Sequence, residues 1–154
     1  MSSVSKEIVV EATPEKAFRV FTENFDSWWP RGHHIGKADL KVAVMEGRAN
    51  GRWYEVGVDG SECDWGYVIA WEPPHRVVLA WQLNGDWQYD PSFVTEVEVT
   101  FTPMGASSTR VELEHRNLER YGEKEDAVRT SISAEEGWGG LLRRFADAAR
   151  EQAA

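Results

Sequence analysis

The sequence has one cysteine, Cys63, among 154 residues. A lone thiol closes no internal disulfide, which excludes the cross-linked framework of small secreted domains. Cations are also scarce: 17 Lys and Arg stand against 26 Asp and Glu, for a formal charge of −9. That balance argues against a nucleic-acid partner, whose phosphates need clustered Lys and Arg, and against an anionic membrane surface. No stretch approaches the roughly 18 consecutive apolar residues of a membrane span. Met1 to Val10 lacks the basic start and long apolar run of a signal peptide, so the expected compartment is the cytoplasm. A phosphate loop, a nucleophile elbow and a zinc helix are all missing. No cofactor or metal is expected, and no repeat, linker or low-complexity stretch divides the chain.

What is present in surplus is aromatic. Eight Trp, six Phe and four Tyr must pack into a core or line a site. The length suits a single domain over 1–154, large enough to bury roughly 70% of its unfolded surface without staples.

Patterning predicts an α+β chain. A first strand covers Ser3 to Glu11, ending in the β-branched run Ile8, Val9, Val10. Two short helices follow. The first is capped at Thr13 with Pro14 in its opening turn, and the second spans Phe25 to Trp29 before Pro30 and Gly32 stop it. Strands are then predicted over 40–46, 52–58, 63–71, 76–83, 93–102 and 109–116, with Asn50-Gly51 as a hairpin signal. On the fourth strand of the chain, Cys63, Trp65, Tyr67, Ile69 and Trp71 share one face. The last two strands alternate cleanly, which implies a sheet with one wet face and hence antiparallel pairing. Asn117 to Ile132 reads as a long polar loop with a short helix near 125–128. A long helix is predicted over Ser133 to Gln152, with Ser133 and Glu136 as a capping box and Trp138, Leu141, Leu142, Phe145 and Ala149 as its apolar stripe. The stripe needs a partner and the sheet needs a cover, so the predicted fold is a curved antiparallel sheet of about six or seven strands wrapped around the C-terminal helix.

Particular segments carry a family likeness. They are Pro14-Glu15-Lys16-Ala17-Phe18, Gly51-Arg52-Trp53-Tyr54-Glu55, Trp65-Gly66-Tyr67-Val68, Pro73-Pro74-His75-Arg76 with Trp81 beyond, and Gly137-Trp138. In order and spacing they resemble the START-like (SRPBCC) superfamily, and more narrowly its bacterial branch named after the activator of heat-shock-protein-90 ATPase. The resemblance runs from about Val4 to Arg150; Asn50 departs from it, standing where a second glycine is common. It implies a helix-grip fold and a pocket between sheet and last helix, and it implies no single reaction.

Candidate site residues follow from that picture. Trp28, Trp29 and His33 are expected at one end of the cavity, and Trp53, Tyr67, Trp81, Trp138 and Leu142 as lining. Glu55 and His115 are its candidate polar anchors, Glu55 provided that it points inward with Trp53. The adjacent His33 and His34 lack the i, i+4 spacing of a zinc pair. Three functions stay open. The first is binding of an apolar or amphipathic small molecule. The second is an enzyme resembling cyclases and aromatases, with Glu55 and His115 as a proton-transfer pair. The third, implied by the family name, is a stress-related co-chaperone that modulates a heat-shock ATPase. A homodimer through exposed Trp87 and Tyr89 is also open.

Overall fold

Seven strands form one antiparallel sheet in the order β1-β7-β6-β5-β4-β3-β2. The computed structural model describes residues 2–153. β1 (Ser3–Val10) leads through Thr13, whose side chain caps α1 (Pro14–Phe21), into a 3-10 turn at Phe25–Ser27. These two short elements carry the chain from one edge of the sheet to the other, where β2 (Leu40–Met45) begins. β3 (Arg52–Gly57), β4 (Glu62–Glu72), β5 (Arg76–Trp81), β6 (Thr95–Pro103) and β7 (Thr109–Arg116) then add in sequence, and β7 closes on β1.

The alternation of β6 and β7 separates the two faces of the sheet. Val97, Val99, Phe101, Val111, Leu113 and His115 are buried on the concave side. On the other side Arg116 pairs with Glu96 at 2.9 Å and with Glu98 at 2.7 Å, beside Arg76. The helical cover is α3 (Gly140–Ala153), which packs on α1 and β1. The predicted helix-grip architecture is therefore the observed one.

Two local predictions differ. Ser133 does not cap the last helix. It ends a separate helix, α2 (Glu125–Ser133), and its hydroxyl donates to Arg129 O at 2.7 Å. Extended Ala134 and a five-residue π turn, Glu135–Gly139, separate α2 from α3. The cause lies in Gly137, where a Cβ would sit 2.3 Å from Ile132 O. Only glycine allows the chain to fold that closely on the end of α2. The segment read as polar loop thus becomes helix because Val128 and Ile132 bury against the core.

The second difference is in β4. Its register slips against β3 between Trp53 and Tyr54, and against β5 between Val68 and Ala70. Each bulge adds one residue and turns the following side chains to the other face. Trp65 is buried, while Tyr67 and Ile69 are exposed. Gly66 sits at the first bulge with its backbone against β5; a Cβ there would fall 1.7 Å from Ala80 O.

Candidate functional site

Most of the concave interior is filled. Phe21 lies 5.2 Å from Phe145, 5.1 Å from Trp28 and 5.9 Å from Phe101, ring centre to ring centre. Trp28 donates its indole N–H to Val20 O at 3.1 Å, and Arg144 Nε bonds Trp28 O at 2.9 Å. This end of the grip is sealed. At the other end a cleft of about 450 Å³ opens between the sheet, the loop before β2 and the α2–α3 junction.

Three walls make the cleft. Trp65 of β4, Trp81 at the end of β5, and Leu83 form the first. Trp29, His33, His34 and Ile35 form the second. Ile132, Trp138 and Leu141, with Thr130, Ser131 and Glu136, form the third. Trp87 stands at the mouth, 41% exposed, with its ring 6.3 Å from Trp81. Five tryptophans in one cleft present large flat apolar faces, and the N–H groups of Trp29, Trp65 and Trp138 are bonded to His33 O, Glu55 and His115.

Trp87 is held in a costly conformation, with φ at 59°. A bulky residue rarely occupies that region. The surrounding turn enforces it: Asn84 Oδ1 accepts from Asp86 N and Gln88 N, and Trp87 N donates to Asn84 O at 3.0 Å. Lys124 pairs with Asp86, and Tyr121 donates its hydroxyl to Leu83 O at 2.7 Å, tying the turn to the segment before α2. Burial pushes the Tyr121 hydroxyl up to about 12, so it stays a donor.

Glu55 faces inward and is 1% exposed. Its carboxylate accepts from Ile35 N at 2.6 Å, Gly36 N at 3.0 Å and Trp65 Nε1 at 2.8 Å. It is satisfied by the wall of the cleft rather than presented to its space. It pins the His33–Ile35 loop and the Trp65 ring to the sheet.

His115 has the same character. Trp138 Nε1 can only donate, so His115 Nδ1 accepts at 3.2 Å. The neutral ring then carries its proton on Nε2 and donates to Thr95 Oγ1 at 2.9 Å, which continues to Trp81 O. Burial lowers His115 to about 3, so the imidazole is neutral near neutral pH. Glu55 and His115 are each committed to other partners. Among the described residues no hydrogen bond joins them, and they do not form the expected proton-transfer pair.

Of the ten predicted site residues, four line the cleft: Trp29, His33, Trp81 and Trp138. Trp28, Trp53, Glu55, His115 and Leu142 are buried behind its walls. Tyr67 lies on the opposite face of the sheet, for the reason given by the β4 bulge. The cleft adds His34, Ile35, Trp65, Leu83, Trp87 and Leu141. Trp87 had a signal, an aromatic placed in an Asn84-Gly85 turn where no core awaits it. Leu141 lines the cleft where Leu142 was expected, and both lie buried on the predicted apolar stripe of the last helix. Among the described residues, no cluster of His, Cys, Asp and Glu could hold a metal, and no helix is long and apolar enough to cross a membrane. Cys63 lies beside Glu55, and burial together with that carboxylate pushes its thiol up, away from nucleophilic use.

Comparison with known proteins agrees with this geometry. Txn09, an anthrahydroquino-γ-pyrone synthase solved as a complex, is 36% identical, with 96% of this chain and 97% of that one covered at a TM-score of 0.68. CalC, a self-sacrificing resistance protein from Micromonospora echinospora, is 33% identical over 99% and 96% at a TM-score of 0.73. Protein NE0264 from Nitrosomonas europaea, at 12% identity and a TM-score of 0.67 over 97% and 95%, shares the fold. Curated proteins yield no match. The model of the Activator of Hsp90 ATPase homolog 1-like proteins matches residues 11–150. That span takes in α1, six of the seven strands and nearly all of α3, and on it the chain belongs to this family, within the START-like superfamily that its sequence resembles.

Proposed function

We propose that this protein binds a planar, largely apolar aromatic molecule in the cleft between Trp29, Trp65, Trp81, Trp87 and Trp138. The observation that carries the reading is the five-tryptophan lining of a space of about 450 Å³. That volume is within the range of small-molecule sites, and flat indole faces favour flat guests over flexible chains. The 36% identity to a synthase named for an anthrahydroquinone-pyrone supports the same guest class. The acidic surface suits a free cytoplasmic carrier.

The test is a fluorescence titration with anthraquinone, anthracene and a saturated fatty acid of similar volume. Quenching by the two ring systems and not by the fatty acid is the expected result. Equal response to all three, or none to any, overturns the reading.

A second reading, catalysis on such a ring system, is favoured by the same synthase relative. Glu55 and His115 would serve it only as positioning residues, since both are satisfied behind the walls of the cleft. Conversion of a polyketide-type phenol by purified protein, followed by mass spectrometry, tests it, and unchanged starting material counts against it.

A further inference from the structure

The polar lining of the cleft comprises Thr130, Ser131, Glu136 and the pair of adjacent histidines, and the hydrogen bonds of the two histidines settle which nitrogen of each is open. His33 Nε2 lies 2.9 Å from Glu136 O. A carbonyl only accepts, so Nε2 carries the proton and the neutral ring keeps Nδ1 bare. His34 Nδ1 lies 2.9 Å from Gly36 O, so there the proton is on Nδ1 and Nε2 is bare. Both rings line the cleft and both are half-buried. Neither bare nitrogen has a protein partner among the described residues.

The loop cannot easily turn these rings away. Trp29 Nε1 donates to His33 O at 2.8 Å, and Ile35 N and Gly36 N are held by Glu55. The opposite walls offer the apolar surfaces of Trp81, Leu83, Trp138 and Leu141, together with Thr130, Ser131 and Glu136. A guest spanning the cleft therefore meets indole faces on one side and, on the other, two histidines that each keep an acceptor nitrogen without a partner among the described residues.

We propose that the guest is hydroxylated, and that a phenolic or enolic O–H of the aromatic ring donates to the open nitrogen of His33 or of His34. This rests on the aromatic-binding reading above and names its ligand class. A partly buried acceptor pair favours a donor hydroxyl and rejects its methyl ether, which fills the same space without a proton to give.

The experiment compares three ligands by tryptophan quenching: anthraquinone, an anthraquinone with one hydroxyl remote from its carbonyls, and the methyl ether of that phenol. The hydroxylated ring is expected to bind about tenfold more tightly than the ether. The preference should vanish in the His33→Phe/His34→Phe double variant and persist in part in His34→Gln, whose amide oxygen still accepts. Circular dichroism of the unliganded variants checks that they fold, and the single variants His33→Phe and His34→Phe replace the double variant if it does not. Equal affinity for phenol and ether in the parent protein overturns the inference and leaves aromatic binding standing, as does a preference undiminished in the Phe variants. Absence of binding by all three rings overturns both.

Discussion

The two ends of the grip are built from different aromatics. The sealed end is mainly phenylalanine: Phe18, Phe21, Phe101 and Phe145, in edge-to-face contact and all buried, with Trp28 beside them, while Phe25 bridges to the open end by stacking on Trp29. The open end is mainly tryptophan, and its rings border a space instead of filling one. A phenylalanine contributes only area and shape, so it serves where nothing must be recognised. A tryptophan adds a broader face, useful where a surface waits for a partner, and an N–H that in Trp29, Trp65 and Trp138 fixes the ring to the wall behind it. The contrast separates stability from recognition and can be broken by mutation. Phe145→Ala should cost about 3–5 kcal/mol, because the ring is fully buried among Phe21 and Trp28 and leaves a cavity. Chemical denaturation measures the loss. The fraction that remains folded should bind aromatic ligands with unchanged affinity, and a parallel loss of affinity would show that the two ends are not separate.

Polar groups behind the cleft come next in size. His115 titrates at about 3 in the folded protein, while an unfolded histidine takes its proton near 6.5. The unfolded chain therefore binds more protons between those values. The stabilisation from this group is complete above about pH 6.5 and is lost as pH falls toward 3, by roughly 3 kcal/mol between about pH 7 and about pH 4. Glu98, held down by Arg76 and Arg116, acts in the same direction in parent and variant alike. His115→Phe should therefore show a flatter decline of stability over that window, and parallel curves would refute the assignment. A smaller loss, about 2 kcal/mol, is expected for Glu55→Gln, whose amide cannot accept from all three donors that the carboxylate now satisfies. Unlike Phe145→Ala, it should also weaken ligand binding, because the His33–Ile35 loop loses its anchor.

The sealed end was legible in the sequence and the open end only partly so. Helical spacing put Ala17, Phe18 and Phe21 on one face of α1, and strand alternation buried Val97, Val99, Phe101, Val111 and Leu113 together. Those patterns are periodic, and the structure keeps the period. The cleft arises where the period breaks. The β4 bulges send Tyr67 out while Trp65 stays in, and the π turn at Gly137 joins α2 to α3 so that Ile132 and Trp138 share one wall. A bulge or a π turn comes from backbone contacts between distant segments, such as Gly66 against Ala80 O, and leaves no periodic trace. Alternation put Glu55 on one face with Trp53 but left open whether that face pointed inward, and its three partners come from a loop and from β4, which spacing alone could not bring together.

Trp87 supplies the finest test of the contrast, because there stability and recognition should separate. Its left-handed backbone opposes a bulky side chain, and 41% of the residue is exposed. Asparagine tolerates that region far better. In Trp87→Asn the relief of backbone strain offsets the lost contact with Trp81, so stability should move by no more than about 0.5 kcal/mol. Affinity for a planar aromatic should fall about fivefold to tenfold, the range expected for one stacked ring. A residue kept only for packing would show the reverse, with lower stability and unchanged binding. Thermal melts and ligand titrations on the same preparation distinguish the two. If the variant binds as well as the parent, the strained turn does not position Trp87 for a guest, and the cleft's specificity must come from the rings further in.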